Sequence, residues 1–98
     1  MKNIQHITEE KLAKYFDVAK RALAKVNPGK EQPIKWARMQ DEFLDMARRY
    51  VKDAEHYYSK GDKVTAFAAL NYAHGWLDAG ARLGLFDVDH DSELFAVD

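Results

Sequence analysis

Asn71, His74, Asp78 and Arg82 recur at steps of three and four residues, so on a helix their side chains line one surface within reach of one another. That spacing permits a His74 to Asp78 hydrogen bond and an Asp78 to Arg82 ion pair. Chemically, a histidine oriented by a carboxylate can act as a general base, and an arginine beside it can hold a carboxylate or phosphate. The same four residues also read as a polar seam that fixes helix register. The seam is the preferred reading, because no nucleophile, glycine-rich phosphate loop or second catalytic partner stands at a diagnostic spacing. No residue is assigned as catalytic.

Other chemistry is weakly signalled. Asp87, Asp89 and Asp91 alternate like the opening of a calcium loop, with Asp98 eleven positions after Asp87. Yet Ser92 stands where such a loop needs glycine, and Asp98 replaces the bidentate glutamate, so no metal is expected. His6, His56, His74 and His90 form no pair four apart, which removes the local signature of a zinc site. Arg48, Arg49 and Lys52 make a short basic patch offset by Asp41, Asp45 and Glu55, without interleaved stacking aromatics.

The elements that must position these residues are helical. Thr8 followed by Glu9 and Glu10 predicts an N-cap, and a first helix over about 8–26 buries Leu12, Phe16, Ala19, Leu23 and Val26 on one stripe. Asn27, Pro28 and Gly29 end it. A second helix over about 33–60 opens with Pro33 and carries Trp36, Met39, Phe43, Met46, Ala47, Tyr50, Ala54 and Tyr57 at helical spacing. Its far side is solvated and includes an Asp45 to Arg49 pair. Gly61 and Asp62 predict a very short connection to an antiparallel third helix over about 62–86, and the tail 87–98 is acidic before it turns apolar at Leu94, Phe95 and Val97. No segment alternates with period two. The expectation is all-α, an up-and-down three-helix bundle in a single domain, residues 1–98.

The third helix is unusual in having almost no solvent face. With about 100° per residue, Phe67, Leu70, Leu77, Ala81 and Leu85 form the expected core side. Ala66, Ala69, Ala73, Gly80 and Gly84 form a side of small residues, Tyr72, Trp76, Ala79 and Leu83 a third, and the polar line of Asn71, His74, Asp78 and Arg82 is what remains. A lone bundle leaves one of these sides without cover. The candidate interaction surface is therefore Tyr72, Trp76 and Leu83 with Ala69, Ala73 and Gly80; the other arrangement wraps the helix in the first two helices and the tail. At about 28 residues, or ~42 Å, the second helix also overhangs a first helix of about 19, or ~28 Å. Tyr57, Tyr58, Val64 and Phe67 lie on the overhang, where Ile4 and Ile7 can fold back over them.

Composition bounds the function. With 98 residues, 15 basic against 16 acidic side chains and a net charge of -1, the chain carries no global field for nucleic acid or anionic membrane. It has no cysteine, hence no disulfide or thiolate chemistry. The stretch Met1–Ile7 lacks the apolar core of a signal peptide and no apolar run has membrane-spanning length, so a cytoplasmic protein is expected.

The segment from Ala69 to Leu85, with Tyr72, Gly75, Trp76, Leu77, Asp78, Ala79, Arg82 and Gly84 as marker positions, resembles the signature of an archaeal family, domain of unknown function number 357. The likeness extends over the preceding long helix. It implies a small left-handed three-helix bundle in a cytoplasmic archaeal setting, with no established activity or cofactor and no roles for the marker residues. The functional expectation is a non-enzymatic protein-interaction or oligomerisation module built on the third helix, with a homo-oligomer or another protein as partner, no nucleic acid and no membrane. The alternative is a small-molecule or phosphate-binding protein, or an enzyme, that uses Asn71, His74, Asp78 and Arg82.

Overall fold

A computed structural model describes residues 6–96 as three helices, α1 (Glu9–Lys25), α2 (Trp36–Ser59) and α3 (Lys63–Leu83), with no strand among the described residues. The all-α three-helix arrangement expected from the periodicity is present. Local chemistry sets its boundaries. Thr8 caps α1, its Oγ1 accepting the Lys11 N–H at 3.1 Å, and Asp62 caps α3, its Oδ1 accepting the Thr65 N–H at 3.0 Å. Gly61 and Gly84 adopt φ of 80° and 81°. Each glycine closes a helix, α2 through the Asp62 N–H to the Tyr57 carbonyl and α3 through the Leu85 N–H to the Gly80 carbonyl. α2 starts at Trp36, three residues after Pro33, and Lys35 supplies no side-chain cap.

α2 and α3 are antiparallel neighbours, and the side of α3 that meets α2 is the small-residue side. Ala66, Ala69, Ala73 and Gly80 are buried there, together with Ala47 and Ala54 of α2. Alanine on both helices lets the backbones approach closely, with little side-chain entropy to lose. The core side expected from hydrophobicity holds at Leu85, which is buried, and is corrected at its other end: Phe67 is 66% exposed and Leu70 47%, whereas Ala73 is 1% exposed. A wheel ranks apolar bulk, but the seam here is selected by how near two backbones can come. Edge-on aromatic pairs flank it, Phe43 with Trp76 at 4.9 Å between centroids and Tyr50 with Tyr72 at 4.4 Å.

α1 stands apart from this hairpin. None of its residues is buried, and Phe16, Leu23 and Val26 of its apolar stripe are 58%, 77% and 74% exposed. Its first turns alone reach the hairpin, where Ile7, Lys11, Leu12 and Tyr15 share an open apolar crevice with Val64, Thr65 and Ala68. Tyr58 and Phe67 on the overhang stay exposed, and Ile4 lies outside the described residues. The radius of gyration, 16.4 Å, exceeds the roughly 13 Å typical of a chain of about this length. Along α1 the helix is supported locally, by the Asp17 to Arg21 ion pair at 2.9 Å and by Lys20 over the Phe16 ring at 5.7 Å.

After Gly84 the chain turns back. Leu85 is buried, its carbonyl accepts the Gln40 Nε2 donor at 2.9 Å, and the Phe86 ring lies flush against Gly80.

A Cβ at Gly75 meets nothing within 4 Å, whereas one at Gly80 runs into the Phe86 ring. Gly75→Ala therefore raises stability by up to about 1 kcal/mol, roughly 4–8 °C in melting temperature, while Gly80→Ala lowers it; thermal denaturation of the two variants checks the contrast. The Asp62 carboxyl is held below the usual carboxylate range by the hydrogen bonds from the Thr65 backbone N–H and then the Thr65 hydroxyl. A depressed native value means that the cap stabilises above the unfolded pKa and is lost as pH falls through the native one. Asp62→Ala accordingly melts below the parent at pH 7, and the gap closes on acidification, as the pH falls below the usual carboxylate range and the parent's carboxyl protonates.

Candidate functional site

The two aromatic pairs define one edge of the α2–α3 seam. One step round each helix, Gln40, Leu44, Val51 and Tyr58 on α2 and Phe67, Leu70, His74 and Leu77 on α3 line the opposite edge. The polar line of α3 borders this second edge, and the structure shows what it holds. His74 Nε2 lies 3.4 Å from Asp78 Oδ1, as the spacing predicts. Asp78 and Arg82 do not pair with each other. Asp78 Oδ1 accepts the N–H of Ala96 at 3.0 Å, and Arg82 Nη2 donates to the carbonyl of the same residue at 3.4 Å. The Phe95 ring lies tilted over His74, 6.2 Å between centroids. Asn71 is exposed and lies outside this contact.

The polar line is thus a docking strip for the chain's own tail. Since both anchors act on the main chain of one residue, the contact is indifferent to the side chain at position 96. Ala81, Arg82, Phe86, Asp87, Val88, His90 and Ala96 enclose an open cavity beside it. The aspartates of the tail shape its turns. Asp87 Oδ1 accepts from the Asp89 N–H, and Asp91 Oδ1 accepts from the N–H groups of Glu93 and Leu94, all at 3.0 Å. Asp98 and Val97 lie outside the described residues. Among the described residues no three histidine or carboxylate groups converge as a metal site.

The expected interaction surface divides. Ala69 and Ala73 are buried in the α2–α3 seam, and Gly80 is buried under the Phe86 ring. Trp76 is half-buried against Phe43, while Tyr72 and Leu83 remain 49% and 61% exposed. Phe43, Asn71, Tyr72, Gly75, Trp76 and Ala79 line a shallow apolar hollow. Pattern reading missed Gln40 and Phe86, which hold the start of the tail, whereas Phe95 belongs to the apolar end of the tail that the sequence marks. Of the two missed, only Phe86 left a trace, as the bulk that a mid-helix glycine six residues earlier has room for.

A family model described as a protein of unknown function (DUF357) matches residues 14–86, more than half of the chain. The chain belongs to the DUF357 family. No curated protein and no solved structure matches it. The DUF357 match takes in the α2–α3 hairpin with Asp78 and Arg82 and ends at Phe86, so the docked residues Phe95 and Ala96 lie beyond it. No helix among the described residues is long and apolar enough to cross a membrane.

Removing one anchor should loosen the tail without disturbing the hairpin. Asp78→Ala is expected to speed amide exchange at Ala96 several-fold, with the amides of α2 and α3 unchanged. Arg82→Ala, which loses the longer bond, should have the smaller effect. Exchange rates measured by NMR on the full chain check both.

Proposed function

We propose that this DUF357 protein is a non-enzymatic association module whose contact surface is built on α3, with a second copy of the chain as its first partner. The observation that carries the reading is the open half of the second seam edge. Phe67 and Leu70 of α3 and Val51 and Tyr58 of α2, which helical geometry places on that edge, are all exposed. Contiguous apolar patches beyond a few hundred Å² are uncommon on monomers, and the uncovered stripe of α1 adds a second apolar surface on the same molecule. Toward the far end of that edge Leu77 and Ala81 are half-buried and Leu85 is buried, so the exposure is confined to the part nearest the α2–α3 turn.

Reading the polar line as a small-molecule or phosphate site draws no support from the geometry, because Asp78 and Arg82 are both engaged with Ala96. Light scattering across a concentration series tests the proposal. The parent is expected to associate as its concentration rises, and the double variant Phe67→Ser, Leu70→Ser to stay monomeric with unchanged helicity. Each buried side chain of this size contributes about 1.5–3 kcal/mol, so the double change weakens association at least tenfold. A parent that is strictly monomeric at high micromolar concentration overturns self-association.

A further inference from the structure

The tail returns to α3 through two consecutive residues in left-handed backbone, Asp89 and His90, each with φ of 54°. Aspartate and histidine tolerate this region better than most side chains, yet two in succession carry a cost that an extended hinge does not. Beyond the hinge, residues 91–96 form a unit bonded to itself. The Phe95 N–H reaches the Asp91 carbonyl at 3.1 Å, and Asp91 Oδ1 takes the Glu93 and Leu94 N–H groups. What fastens this unit to α3 is the main-chain clamp of Asp78 and Arg82 on Ala96 and the ring contact of Phe95 with His74. Each of those contacts is the same whichever copy of the chain supplies residues 95 and 96. A short strained hinge leading into a docked terminal segment is the arrangement that favours exchange of that segment between copies.

We propose that two copies of this chain exchange residues 91–96, each tail docking on the Asp78–Arg82 clamp of the other. The second copy then contributes Phe95 and Ala96 to the site, and residues 88–90 straighten. The hinge gives up its local bonds, among them Asp91 N–H to the Val88 carbonyl and Asp89 N–H to Asp87 Oδ1, together with the left-handed pair, while the clamp contacts are all remade. This association differs from that through the Phe67–Leu70 face and does not depend on it.

The absence of native cysteine makes the test direct. Ala81 and Ala96 line the same cavity, so full-length Ala81→Cys and Ala96→Cys chains are mixed, equilibrated and mildly oxidised. An interchain disulfide is expected several-fold above a control mixture of Ser59→Cys with Ala96→Cys. His90→Gly, which relieves the hinge, lowers the yield, and His90→Val, which strains it further, raises it; both lose the imidazole, so their opposite directions isolate the backbone. A double Ala81→Cys, Ala96→Cys chain that closes on itself while the mixture stays at control level shows docking within one chain only and overturns exchange. So does a yield that the His90 variants leave unmoved, or a failure of both disulfides. A dimer seen by light scattering with control-level cross-linking overturns exchange and leaves association through the open face standing.

Discussion

The close approach of α2 and α3 through alanine governs the rest of the molecule. Ala47 and Ala54 face Ala66, Ala69 and Ala73, so two backbones come together with hardly any side chain between them. Once that side of α3 is committed to α2, the large residues cannot also lie there. Phe43, Tyr50, Tyr72 and Trp76 are displaced to one edge, and Phe67, Leu70, Leu77 and the polar line to the other. The exposed patch, the docking strip and the room for Phe86 at Gly80 all follow from that choice.

Some of this was legible in the residues. Thr8, Asp62, Gly61 and Gly84 announce helix ends because capping is chemistry over a few adjacent positions. The Asp45 to Arg49 pair forms for the same reason, at 3.0 Å on an exposed face. The side of α3 that meets α2 was not legible, since a wheel weighs the apolar bulk of Phe67 and Leu70 above the smallness of Ala73 and Gly80. His74 and Asp78 were rightly placed together. The true counterpart of Asp78 and Arg82 was beyond reach, because it is the backbone of Ala96, and main-chain groups leave no mark on a pattern of side chains.

α1 shows the limit of amphipathicity as an argument. Its stripe of Leu12, Phe16, Leu23 and Val26 is as regular as any in the chain, and a helix of 17 residues gains little in water from its own hydrogen bonds. Yet the hairpin touches only its first two turns. Periodicity says that a face wants cover and is silent on which surface provides it.

The three residues that join α2 to α3, Lys60, Gly61 and Asp62, also set an order of assembly. Loop closure costs least for the shortest connection, and contacts between neighbouring elements form fastest. The alanine seam therefore zips from its own turn toward Gly80, ahead of anything that the linker before Trp36 or the tail after Gly84 must bring in. Folding begins at one pole of the molecule, so the Phe67 and Leu70 face beside the turn is laid down early, and the tail clamp at Asp78 and Arg82 is the last to be completed.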